Sequence, residues 1–96
     1  MRQYTTPEQT AKLVELGFEK PKGLADAEPS SGKWVREAYS IGELIEMLNR
    51  VDDEKLEICR DCGVWLVGTD LYCATYRELI DALYEMAVLL KEKGVI

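Results

Sequence analysis

Three cysteines come closest to a recognisable chemistry in this sequence. Cys59-Arg60-Asp61-Cys62-Gly63 sets two thiols apart by two residues, the spacing with which a zinc knuckle grips an ion at a hairpin tip. Cys73 is the candidate third ligand, which makes Cys59, Cys62 and Cys73 the candidate metal set and zinc the candidate cofactor. A structural site takes four ligands and the chain has no histidine, so a carboxylate such as Asp61 or Asp70 has to complete it. The competing reading makes the same residues reduced, small hydrophobes on strands beside a turn. Thiol–disulfide exchange is the weaker alternative, because such motifs usually open a helix whose N-terminus lowers the thiol pKa.

The remaining inventory excludes more than it offers. Without histidine, catalysis through imidazole is impossible. Carboxylate pairs exist (Glu43 with Glu46, Asp52 with Asp53, Asp70 near Asp81), but acidic residues generally lie on solvated faces, and nothing in the spacing gathers a pair in a cleft. There is no glycine-rich phosphate loop, GxSxG elbow or metalloprotease motif. The expectation is a protein that is not an enzyme. Among the aromatics, Trp65 reads as core; Trp34 and Tyr39 read first as core too, and otherwise as an exposed patch, which makes them the candidate partner-binding residues.

Charge gives the other constraint. Twelve Lys and Arg stand against eighteen Asp and Glu, a net charge of -6. Residues 1–36 hold six basic and five acidic side chains, whereas residues 37–96 hold six basic and thirteen acidic, so the acidity belongs to the C-terminal two-thirds. Such a surface repels nucleic-acid backbone and anionic membranes and attracts a basic protein. No apolar stretch is long enough to span a membrane, the N-terminus lacks the apolar core of a signal peptide, and the odd cysteine count does not suit a secreted disulfide framework. A cytoplasmic setting is expected.

Three helices position these residues. The first opens with Thr6 as N-cap, Pro7 behind it and Gln9 closing a capping box, and stops at Gly17 with Phe18 folding back on Leu13. The second opens with Ser40 and Glu43 as a second box, with Tyr39 stapled against Leu44, and ends at 49–51. The third is read from a box of Thr75 and Glu78 to Gly94, with Val95 contacting Leu90. Its stripe of Tyr76, Leu79, Ile80, Leu83, Ala87 and Leu90 makes it the spine of the core. Between the last two helices the period changes: 55–60 and 64–67 pair as a hairpin around Arg60–Gly63, and 71–74 adds a third strand. Residues 33–39 look extended and join the same sheet. Residues 19–32, rich in Pro, Gly and Ser, read as a mobile polar loop. The expected fold is a single α+β domain over residues 1–96. Three helices pack on a small antiparallel sheet of two to four strands, in the order α-β-α-β-β-(β)-α.

Two resemblances attach to these residues. Tyr39-Ser40-Ile41-Gly42-Glu43-Leu44 resembles the opening helix of MerR-type transcription regulators, a family that continues into a basic recognition helix. This chain continues Asn49-Arg50-Val51-Asp52-Asp53-Glu54-Lys55, whose successive acids repel phosphate, so DNA binding does not follow. Tyr39–Leu44, continued through Ile45-Glu46-Met47-Leu48 and taken with Thr6–Gln9, Leu16-Gly17-Phe18 and 78–86, makes the chain resemble a group of small uncharacterised proteins of prophage or mobile-element type from gut-type bacteria. That resemblance implies a phage-related context and no mechanism. The expected function is that of a small acidic accessory protein acting by protein–protein binding, with a basic partner and possible homodimerisation. The alternative is a zinc-binding module built on the cysteines.

Overall fold

The computed structural model describes residues 2–26, 35–49, 56–69 and 72–94. Over these residues the chain folds as an α+β protein of three helices and two small antiparallel sheets. Its elements are α1 (Pro7–Glu15), β1 (Gly23–Asp26), β2 (Val35–Ala38), α2 (Ile41–Leu48), β3 (Glu57–Asp61), β4 (Val64–Gly68), β5 (Cys73–Tyr76) and α3 (Leu79–Glu92). Among the described residues no helix is long and apolar enough to cross a membrane.

The two leading helices begin and end as their local motifs require. Thr6 Oγ1 accepts from the Gln9 N–H at 3.1 Å, and Gln9 Oε1 accepts from the Thr6 N–H at 3.0 Å. At the other end Gly17 takes φ +102°, and its N–H and that of Phe18 donate to the carbonyls of Val14 and Leu13. That pair of bonds is a Schellman cap, and glycine is needed there because the left-handed conformation crowds a Cβ. Ser40 and Glu43 form the second box at the head of α2.

The third helix departs from expectation. Thr75 lies in β5, paired across the ladder with Leu66 of β4, so its backbone serves the sheet rather than a cap. α3 therefore starts at Leu79 behind Glu78, which makes no side-chain cap bond. Tyr76, placed in the helical stripe by its spacing, is a strand residue and is exposed. The rest of the stripe holds: Leu79, Ile80, Leu83, Ala87 and Leu90 are all buried, and Ala82 and Met86 are buried beside them. α3 packs on α2, β4 and β5, and α1 touches its flank. It is the spine of the core, and truncating one of its leucines to alanine there costs about 2–5 kcal/mol.

Two further differences concern the sheets. Residues 19–32 are not loop throughout, because β1 forms inside them and pairs antiparallel with β2, Gly23 opposite Ala38 through Asp26 opposite Val35. Residues 27–34, and with them Trp34, lie outside the described residues. β1 and β2 make a sheet of their own rather than joining β3-β4-β5. The N-terminal segment extends that neighbourhood: Tyr4 bridges Ser40, and the Thr5 N–H donates to the Tyr39 carbonyl at 3.0 Å.

Candidate functional site

Two places gather polar side chains: a cleft beside α2, and the hairpin sheet carrying the cysteines. The cleft lies between the segment after α1 and the face of α2, lined by Phe18, Glu19, Lys20, Lys22, Tyr39, Glu43, Glu46 and Met47. At about 80 Å³ it holds a few waters. Pockets that enclose a small-molecule ligand run to about 300 Å³ or more.

Glu43 organises this cleft. Its carboxylate accepts from the Gly23 N–H at 2.9 Å, the Lys22 N–H at 3.0 Å and, in the capping box, the Ser40 N–H at 3.4 Å. One side chain thus closes the N-terminus of α2 and holds the entry to β1 against it. Gly23 is what lets the chain come so near. A Cβ there would meet the Ala38 carbonyl oxygen at 2.7 Å, Glu43 Oε1 at 3.0 Å and the Tyr4 ring at 3.1 Å.

Tyr39 is a core residue, 1% exposed, so of its two readings the core holds and the exposed partner-binding patch does not. Its N–H donates to Thr5 Oγ1 at 3.0 Å and its hydroxyl donates to the Glu19 carbonyl. The aromatic body is buried while the polar tip finds a partner, the usual compromise for a buried tyrosine. Burial, followed by the negative charges of Glu43 and Glu19, raises its pKa above the ordinary tyrosine value. Of the paired carboxylates, Glu43 and Asp81 are likewise committed to the fold. Asp81 receives the Arg2 guanidinium and, at 2.9 Å, the Gln9 amide. Asp52, Asp53 and Asp70 lie outside the described residues.

The hairpin sheet is built differently. β3 and β4 are joined by a two-residue turn in which Cys62 (φ 50°) and Gly63 (φ 82°) both have positive φ, as a type I′ turn requires. Register then sorts the side chains onto two faces. Ile58, Arg60, Trp65, Val67, Ala74 and Tyr76 share the face that includes buried Val67. There the Arg60 guanidinium sits 5.5 Å from the centre of the Trp65 ring. Glu57, Cys59, Asp61, Val64, Leu66, Cys73 and Thr75 share the opposite, open face.

All three cysteines are free and exposed. Cys59 and Cys73 occupy the two outer strands with β4 between them, Cys59 level with Leu66 and Cys73 level with Gly68. Two strand spacings put their backbones about 9–10 Å apart before that offset is added. Thiolates sharing one zinc ion lie within about 4.6 Å of each other, twice a zinc–sulfur bond. The sheet keeps these two cysteines apart, and among the described residues no three His, Cys, Asp or Glu side chains gather to hold a metal ion. The outer edge of β3, unpaired among the described residues, escapes a reading by motif. Its signal in the sequence is the alternation Glu57, Cys59, Asp61, which puts both acids on one face.

Compared with protein-family models, with curated proteins and with solved structures, the chain matches none.

Proposed function

We propose that this chain is a small acidic accessory domain that works by binding another protein, one with a basic surface, and not by catalysis. The observation that carries the reading is the contrast in how its carboxylates are used. Glu43 and Asp81 are occupied by backbone N–H groups, an amide and a guanidinium. On β3, Glu57 and Asp61 are exposed, and among the described residues neither meets a cation. Uncommitted charge of one sign draws an oppositely charged partner and raises its rate of encounter. The setting that goes with this reading is a reducing cytoplasm, in the phage-related context that the resemblance noted in the sequence implies. The zinc alternative has to draw its remaining ligands from beyond Cys59 and Cys62, since Cys73 is held away by β4.

Capture experiments test the reading. The domain is immobilised beside a variant in which the exposed acids of β3 and α3 are replaced by their amides. Basic proteins retained by the first, absent from the second and eluted by moderate salt support it. Capture that returns no basic protein at low ionic strength overturns it.

A further inference from the structure

We propose that the outer edge of β3 accepts an extended segment of the partner as a fourth strand, and that this segment carries two basic residues four positions apart. The inference rests on the protein-binding reading and names the partner's chemistry at that same face. Among the described residues β3 is the terminal strand of the sheet order β3-β4-β5, and its only ladder partner there is β4. Because the closing pair of a two-residue hairpin exchanges both ladder bonds, Asp61–Val64, Cys59–Leu66 and Glu57–Gly68 are the bonded pairs. The N–H and C=O groups of Ile58 and Arg60 therefore point away from β4, and no backbone bond among the described residues takes them up. Such an edge is a template for strand addition, in which the main chain supplies affinity and alternate side chains supply selectivity.

Charge selects the occupant. Glu57 and Asp61 flank Cys59 on the open face, while Arg60 is turned to the other face against Trp65 and does not neutralise them. In the self-pairing that overlaps the whole strand, antiparallel about Cys59, Glu57 of each copy faces Asp61 of the other, four carboxylates with no cation among them. Like charges directly opposite one another are destabilising, so this edge opposes a second copy. A strand with Lys or Arg opposite both acids forms two favourable cross-strand pairs instead. The residue between them lies against Cys59, at the end of the row Cys59–Leu66–Thr75, and should be small or apolar. The lysine spacing is the same in either direction, and the guest proposed runs antiparallel, the direction in which its residues opposite Ile58 and Arg60 turn their own N–H groups to this edge.

The test uses the whole chain and the peptide TVKVTVKVT, whose lysines share one face with a threonine between them. Its companions are TVEVTVEVT and a copy N-methylated at the fourth and sixth residues, which face Ile58 and Arg60. Expected are saturable binding of the lysine peptide, weakening of tenfold or more on N-methylation, and new hydrogen-exchange protection of the Ile58 and Arg60 amides. E57K/D61K should lose the lysine peptide and gain the glutamate one. E57Q/D61N, checked for an unchanged fold, should lose most of the lysine-peptide affinity without gaining the other. If the lysine peptide binds but survives N-methylation or charge reversal, or protects other amides, the edge is wrong and the acidic-domain reading stands. No peptide binding, with a basic protein still captured by the domain, likewise removes the edge and leaves the acidic-domain reading in place. No peptide binding and no capture overturns both. Self-association of the free chain through the Ile58 and Arg60 amides would show that the occupant is a second copy.

Discussion

Glu43 and Asp61 are both carboxylates next to a turn or cap, and they live in opposite circumstances. Glu43 accepts from Lys22, Gly23 and Ser40, so that α2, β1 and the chain between them close around one side chain. Among the described residues Asp61 receives only the Cys62 thiol, at 3.4 Å, and it stands exposed at the edge of a sheet whose outer face is open. Around Glu43 and Tyr39 polar atoms are consumed in holding the fold together; around the hairpin tip they are left over. A group whose hydrogen bonds are already made inward has little to offer a partner, and removing it damages the fold. A group without such bonds is available for recognition and cheap to remove.

The largest effect should come from breaking the clasp. Glu43→Ala removes a capping-box acceptor and leaves the N–H groups of Lys22 and Gly23 without their partner, which should cost about 3 kcal/mol. Urea unfolding followed by circular dichroism measures it. A change below about 0.5 kcal/mol, the range of ordinary surface sites, would mean that the clasp holds nothing and that Glu43 and Asp61 are alike. Gly23→Ala attacks the same junction from the other side. Its Cβ would lie 2.7 Å from the Ala38 carbonyl oxygen, so the strands must part. A loss of about 2 kcal/mol is expected in the same measurement.

Tyr39→Phe probes the inward-facing region through pH. The phenol stays neutral to higher pH in the folded chain than in the unfolded one, because burial and then Glu43 and Glu19 oppose its ionisation. Its contribution is therefore complete below the unfolded value of about 10 and is lost as pH rises through the folded value. The variant should be about 1 kcal/mol less stable near neutrality, having lost the bond to the Glu19 carbonyl. It should also lose less of its remaining stability between about pH 9 and pH 11 than the parent chain does. Tyr84, raised by burial and then by Glu85 and Glu92, keeps some alkaline sensitivity in both proteins. Parallel stability curves for the two proteins would show that Tyr39 does not titrate with unfolding.

What is legible in the sequence divides along the same line. The boxes Thr6–Gln9 and Ser40–Glu43 are contained in four residues, and both form as read. Thr75–Glu78 has the same pattern and fails, because Leu66 of β4, nine residues back along the chain, pairs with Thr75 first. The strand β1 escapes a local reading for a related reason. Gly23-Leu24-Ala25-Asp26 has little strand propensity of its own, and its pairing rests on Val35–Ala38 and on the Glu43 clasp. The burial of Tyr39 is half visible, since it stands where a staple residue precedes a capping box; its hydroxyl's partner is not. For the cysteines, the turn chemistry around Gly63 is readable, but only the ladder register decides that Cys59 and Cys73 share a face and stand apart on it. Local motifs report where an element begins. What that element is pressed against, or left open to, is set by residues distant in the chain.

The smallest effect should be a gain, at the tip of the hairpin. Among the described residues Cys62 is the only non-glycine with positive φ, and a thiol side chain does nothing to ease the left-handed conformation. Asparagine before glycine is the preferred pair for this turn. Cys62→Asn should therefore stabilise the chain by about 0.5–1 kcal/mol, raising Tm by about 4 °C for a domain of this size. The sign of the change in thermal unfolding decides between two pictures of the hairpin. A gain means that the tip, like the acids beside it, is not optimised for stability, as expected where a surface is kept for a partner. A loss of similar size would mean that the Cys62 thiol and its contact with Asp61 hold the hairpin together. The two ends of the molecule would then be built alike, and the free charge of β3 would need a cause other than recognition.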